Sequence, residues 1–485
     1  MENNTNYEIT KTSHGNDAIV HDDYFYIYDK STADGTSKLF KCRQFKSGCR
    51  KRLRLENNSV MVYGDNHNHE PDLAHIINQK AKLKMKRKIN SNPTQPSKRV
   101  YDEVIIEERQ ILKDQLNQTQ LSLSLPKFDD IRSSLHKIKR SHFPRQPNTC
   151  AELILPTEFI QIRNENFLLL NEGENDKLLI FGTEPFFRML CQCETVLMDG
   201  TFDVVPKIFT QLYTLHGLYE GKTICFLYCL LVGKTYDIYK KLFRCIQDLA
   251  NERSLVFNPK KFQIDFEIGV IKALKLIFPH SEIKGCLFHY SQCIWRSVQS
   301  CNLVSLFKNN EEVRNTIKRI SALPFLPLKD ITDAWIMIHE NAPNLTQLTD
   351  FLDYAVRTWI NEDALFERNI WNHHQNFKMR TTNSVESWHS QLKKAAIKTH
   401  LNIYEFILLL KNQQLKSENE MSFLNVGHTP APKRLKYRQL DEKIERLTNQ
   451  YLNGIKTIIE FLDAVGYALK LGKKSNQQNS STAQQ

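Results

Sequence analysis

No run of this 485-residue sequence is apolar for long enough to cross a bilayer. The longest, Ile224 to Val232, is under half the roughly twenty residues that a membrane helix takes. The opening residues Met1-Glu2-Asn3-Asn4-Thr5-Asn6 lack a cationic start followed by an apolar stretch, so no secretory signal is expected. The eleven cysteines lack the regular spacing of a disulfide framework and are read as reduced, some as metal ligands and most as buried thiols. Internal repeats are absent, which argues against a solenoid. What remains is a globular chain: 41% hydrophobic and 10% aromatic residues suffice for a real core, and the length calls for two to four domains. A formal net charge of +12 favours a polyanionic partner only weakly, but its distribution says more. Lys38, Lys41, Arg43, Lys46, Arg50, Lys51, Arg52 and Arg54 crowd one stretch; Lys80, Lys82, Lys84, Lys86, Arg87 and Lys88 form another.

Residues 1–75 read as a small β domain, with strands at Tyr24–Tyr28, from Leu39, at Arg50–Leu55 and at Val60–Tyr63, separated by turns at 33–36 and Asn57-Asn58. Cys42-x₆-Cys49 followed by His67-Asn68-His69 offers four N/S ligands in two close pairs, the set that tetrahedral structural zinc takes. A domain this small needs such a staple. Residues 76–100 are basic and helix-permissive up to Asn90-Ser91-Asn92-Pro93 and Pro96, and 101–121 carry a helical repeat. The run Lys80–Lys88 suits a nuclear localisation signal, a phosphate-contacting arm or a solvated linker helix. Residues 473–485 are polar and expected to be disordered.

From residue 150 the pattern predicts strands at 194–202, 210–218 and 222–232, a helix at 236–252, a strand at 262–265, a helix at 268–278, a strand at 282–287 and a helix at 289–298. Three antiparallel strands followed by two reached through helices fit a ribonuclease H-like fold. Asp199 in Met198-Asp199-Gly200-Thr201-Phe202 ends the first strand, Asp265 in Ile264-Asp265-Phe266-Glu267 ends the fourth, and Glu386 in Asn383-Ser384-Val385-Glu386 opens a late helix. Each has a structural explanation alone: an Asx turn, an N-cap and a capping box, respectively. Together, in that sheet, they lie side by side, and converging carboxylates can hold two divalent cations for phosphoryl displacement. Cys286-x-x-His289 is either half a zinc site or a buried thiol before a helix-starting histidine, with His373, His374 and His389 as the candidate partners. Trp295 suits packing, or stacking on an unpaired base.

Residues 190–415 resemble the Mutator-like (MULE) transposase domain of the DDE class. Asp199 in "MDGTF" and Asp265 in "IDFE" match its aspartates, Glu386 in "RTTNSVESWHSQLKK" its glutamate after a helical insertion, and "GCLFH" (285–289) its cysteine–histidine motif. Tyr28, Phe40, Cys42, Cys49, His67 and His69 resemble the FLYWCH zinc finger, with Phe40 where that family has tryptophan. The resemblance implies an α+β multi-domain chain. A FLYWCH-type finger (1–75) precedes a basic, helical linker (76–149) and a ribonuclease H-like core (150–298). A helical insertion (299–370), the core completion carrying the glutamate (371–415) and a helical C-terminal region (416–485) follow. It further implies catalysis by Asp199, Asp265 and Glu386 with Mg²⁺ or Mn²⁺, structural Zn²⁺ on Cys42, Cys49, His67 and His69, and an accessory role for Cys286 and His289. Arg43, Lys46, Arg50, Lys51, Arg52 and Arg54 would contact double-stranded DNA at transposon terminal repeats, in the nucleus, within a homo-oligomer and away from membranes. A non-catalytic DNA-binding regulator that keeps the fold is the alternative.

Overall fold

The computed structural model describes residues 7–12, 15–376, 379–396, 398–430, 432–469 and 471; the expected disorder at 473–485 lies outside them. The chain divides into two compact units, Met1–Arg145 and Gln146–Gln485.

The first unit opens with a six-stranded antiparallel meander in sequence order: β1 (Tyr7–Lys11), β2 (Asp17–His21), β3 (Tyr24–Ser31), β4 (Ser37–Cys42), β5 (Arg52–Glu56) and β6 (Ser59–Tyr63). The last four match the sequence expectation. The first two were not foreseen: β1 is mostly exposed and shows no buried alternation, and β2 is a short run buried at four successive positions, also without alternation. Ile19, Tyr26, Phe40 and Leu53 pack with the two cysteines in one small core. Residues 73–141 then form four helices, Leu73–Ser91, Ser97–Leu112, Gln118–Ser124 and Phe128–Ser141, around Ala81, Met85, Val100, Val104, Ile131 and Leu135. The segment is thus packed, and several of its lysines meet acids: Lys84 pairs with Glu107 and Glu108, Lys88 with Glu103 and Glu107, and Lys80 with Glu8.

In the second unit a two-residue hairpin, β7 (Gln161–Ile162) with β8 (Glu165–Asn166), precedes the main sheet. Its strands are β9 (Leu168–Glu172), β10 (Leu178–Phe181), β11 (Thr195–Thr201), β12 (Gln211–Tyr219), β13 (Lys222–Leu231), β14 (Lys261–Ile264) and β15 (Glu282–Gly285). Their spatial order is β15-β14-β11-β12-β13-β10-β9. The pairs β11–β12 and β12–β13 are antiparallel, whereas β14 joins β11 and β15 joins β14 in parallel through the helices Tyr236–Glu252 and Ile268–Ile277. β9 and β10 extend the far edge beyond the strands expected from sequence.

Alternation gives the sheet two unlike faces. Val196, Met198, Tyr213, Leu215, Phe262 and Ile264 point into the large core shared with the helices of 287–371. Asp199, Thr214, His216, Gln263 and Asp265 take the alternate positions, on the face that receives the helix Asn383–Ala396. Residues 299–370 are mostly helical, and the helices Asn383–Ala396, Ile403–Asn425, Leu435–Leu452 and Ile458–Ala468 follow. No helix among the described residues is long and apolar enough to cross a membrane.

Candidate metal centre and acidic site

In the finger, β4 delivers Cys42, a 3₁₀ turn over Arg43–Ser47 follows, and Gly48 at φ 97° swings the chain so that Cys49 points back at Cys42. The ligand atoms of Cys42, Cys49, His67 and His69 lie within 4.8 Å of one another. Cys42 Sγ is 3.2 Å from His69 Nε2, Cys49 Sγ 3.3 Å from His67 Nδ1, and His67 Nδ1 3.3 Å from His69 Nε2. Zinc bond lengths of about 2.0–2.3 Å give a tetrahedron with edges of about 3.5 Å, so the set fits zinc. The outer ring nitrogens are also engaged. His67 Nε2 lies 2.9 Å from Tyr26 Oη, and His69 Nδ1 2.9 Å from the Glu70 carbonyl. These partners fix the tautomers that turn Nδ1 of one ring and Nε2 of the other toward the ion. Tyr24 stacks on His67 at 3.5 Å. Burial pushes the Cys42 thiol up to about 11 and, with His69 adding, holds His67 down to about 4; the imidazole is ready to ligate, and the thiol loses its proton only with the cation in place.

The basic stretch divides. Arg43 pairs with Asp72, Arg52 and Lys41 with Asp29, and Arg54 with Glu56. Among the described residues Lys46, Arg50 and Lys51 have no carboxylate partner; Arg50 rests over the Phe45 ring at 4.8 Å, and Lys51 reaches the Gly64 carbonyl at 3.4 Å.

In the second unit, parallel pairing of Leu197 with Gln263 sets Asp199 and Asp265 beside each other, two residues further along. Asp199 Oδ1 accepts from the Gly200 amide at 2.8 Å, and Oδ2 lies 3.3 Å from His389 Nδ1. His389 Nε2 and His216 Nε2 are each 2.9 Å from Thr214 Oγ1. Burial, with His389 adding, keeps His216 neutral. Thr214 Oγ1 thus bridges the two rings and also donates toward the Asp199 carbonyl at 3.3 Å. Burial first, then the charge of Asp199, pushes Asp265 up from the ordinary carboxyl range to about 6.

Glu386 sits in the first turn of its helix, whose start is fixed by Thr382: its carbonyl accepts from the Val385 and Glu386 amides, and its own amide donates to Cys286 Sγ at 3.3 Å. Burial, and then Asp199, raise the Glu386 carboxyl. Its Oε1 is 3.3 Å from His289 Nε2 yet finds no aligned hydrogen-bond donor. His289 is pushed down by burial but pulled up, by Cys286, Asp265 and Glu386, to about 10. Asp199 repels both Asp265 and Glu386, and Glu386 keeps an unpartnered buried oxygen; three such acids fit a divalent cation with oxygen ligands. Their oxygens are not as tightly gathered as the finger ligands, which form the one group of three or more such ligands that close among the described residues.

Sequence reasoning missed Glu267. It lies two residues past Asp265, accepts from Tyr239 Oη at 2.7 Å, and is raised to about 7 by burial and by Asp265. Its acidic spacing was the available signal. Among the described residues no third ligand gathers closely with Cys286 and His289: His373 is bound to the Gly285 carbonyl, His374 to that of Phe325, and His389 lies against Asp199. Trp295 packs edge-on against Phe307, in its packing role.

Comparison with known families agrees with this layout. A MULE transposase domain model matches residues 195–293, and a FLYWCH zinc finger domain model matches residues 9–69. The chain therefore carries a FLYWCH-type finger followed by a MULE-type transposase domain. No curated protein matches it.

Proposed function

We propose that this chain is a Mutator-type transposase, with a ribonuclease H-like core in which Asp199, Asp265 and Glu386 form a metal-dependent site for DNA cleavage and strand transfer. The observation that carries the reading is the approach of three acids, from two neighbouring strands and one helix, onto one polar face where each is felt by another. Magnesium or manganese, when bound, would polarise a phosphoryl oxygen and make water or a DNA 3′-hydroxyl nucleophilic. The chain's own part is positional. Gly200 and His389 hold the Asp199 carboxylate, Thr382 anchors the turn carrying Glu386, and Cys286 holds Thr382. The finger would contact duplex DNA through Lys46, Arg50 and Lys51, with Arg43, Arg52 and Arg54 already engaged with acids. Work on two transposon ends implies a homo-oligomer acting on terminal repeats in the nucleus.

A second reading, a non-catalytic DNA-binding regulator, draws on the looser gathering of the acids and on His289 lying against Glu386. Manganese binding followed by electron paramagnetic resonance separates the two. The transposase reading expects saturable binding that is lost in Asp265→Asn and in Glu386→Gln. Equal binding by parent and variants favours the regulator.

A further inference from the structure

The charge of the first unit is divided in an unexpected way. Residues 1–72, which hold the finger, carry 10 lysines and arginines against 11 aspartates and glutamates. Residues 73–141, the four helices, carry 15 against 7. Zinc on two thiolates and two neutral imidazoles adds no net charge, so the finger stays slightly acidic. The polyanion-attracting field of this unit comes from its helices.

Intramolecular pairing narrows the surface. Lys80, Lys84, Lys88, Lys98 and Arg99 meet acids, and Lys139 donates to the Thr94 and Gln95 carbonyls. Among the described residues Arg87, Arg109, Lys113, Lys127, Arg132, Lys137 and Arg140 are exposed and meet no carboxylate, and three of them stand on one helix. Arg132 and Arg140 are eight residues apart and share one face of the helix Phe128–Ser141, with Lys137 beside them and Asp129 of the first turn as the acid on that side; Ile131 and Leu135 are on the buried side. His142 Nε2, at the end of that helix, is 2.9 Å from Asn90 Oδ1, near the end of the helix Leu73–Ser91. This contact, with the Lys139 bonds, brings Arg87 and Arg140 to the same end of the bundle.

We infer that the outer face of the helix Phe128–Ser141, together with Arg87, is a second DNA contact surface that grips backbone phosphates without reading sequence. The inference rests on the DNA-binding reading above. Cations in the last turns of these helices also complement the helix C-termini, but that role does not account for Arg132, in the first half of its helix. Division of labour follows: the zinc-held turn is small and rigid enough to select a site, and the bundle supplies salt-dependent affinity.

The test uses the full chain and a random-sequence duplex, with affinity measured by fluorescence anisotropy from about 50 to about 200 mM KCl. The variant Arg87→Gln/Arg132→Gln/Lys137→Gln/Arg140→Gln should make the slope of log affinity against log salt shallower by about 3 to 4, at ~0.9 per lost phosphate contact. Lysine at the three arginine positions should restore it, since phosphate attraction needs charge and not a guanidinium. A slope unchanged in the glutamine variant, whether or not its melting temperature falls, overturns the inference. So does a loss of slope confined to Lys46→Gln/Arg50→Gln/Lys51→Gln. No binding by the parent chain at the lowest salt overturns it together with the reading beneath it.

Discussion

Asp265→Asn separates a catalytic acid from a structural one through stability alone. An unfolded aspartate has a pKa near 3.8, whereas burial and Asp199 raise Asp265 to about 6 in the metal-free fold. The native state therefore holds more protons than the unfolded state between those values, and stability falls as pH rises through the window. The shift corresponds to about 2–3 kcal/mol of strain at pH 8. Asparagine has nearly the same volume and carries no charge. In EDTA at pH 8, Asp265→Asn should raise the melting temperature of the second unit by about 3–4 °C; at pH 4, where the native carboxyl is protonated, the gain should vanish. Saturating Mn²⁺ should stabilise the parent and not the variant, cancelling the difference. Scanning calorimetry at both pH values, with and without metal, reads all of this. A variant that is less stable than the parent at pH 8 in EDTA would mean that Asp265 serves as a hydrogen-bonding anchor, and the reasoning would fail.

Other outcomes follow from named contacts. Tyr26→Phe removes the hydroxyl beside His67 Nε2 and should weaken zinc binding about 10–100-fold in a chelator competition, whereas Cys42→Ser should abolish it and unfold the finger. Gly285→Ala would drive a methyl into the Phe266 ring, which is wedged against Trp359 and Phe366. A loss of about 1–3 kcal/mol is expected from denaturant unfolding, along with weaker Mn²⁺ binding, because Phe266 adjoins Asp265.

Much of this was legible in the sequence where local and tertiary forces agree. The helix Tyr236–Glu252 appears at the predicted bounds, because Tyr239, Leu242, Phe243 and Ile246 mark one apolar face. The hairpin at Glu220-Gly221 declared itself through a turn in which both residues take positive φ. Four finger ligands in two pairs were visible as spacing and are gathered in space. Strand β1 was hidden because its side chains are mostly exposed and it gains order by pairing with β2. Glu267 was hidden by its place just before a helix, where an acid reads as a cap. The contact of His389 with Asp199 joins residues 190 positions apart, and no local pattern encodes it.

The central claim is that Asp199, Asp265 and Glu386 cut DNA. The direct measurement is nicking of supercoiled plasmid, carrying the terminal sequences that flank the gene, by the purified chain in Mg²⁺ and in Mn²⁺. The account predicts nicking by the parent and none by Asp199→Asn, Asp265→Asn or Glu386→Gln, with the triple variant no worse than any single one, because the acids act as one cage. Cleavage that survives any single substitution, or a parent chain that binds this DNA and leaves it intact in both metals, would contradict it.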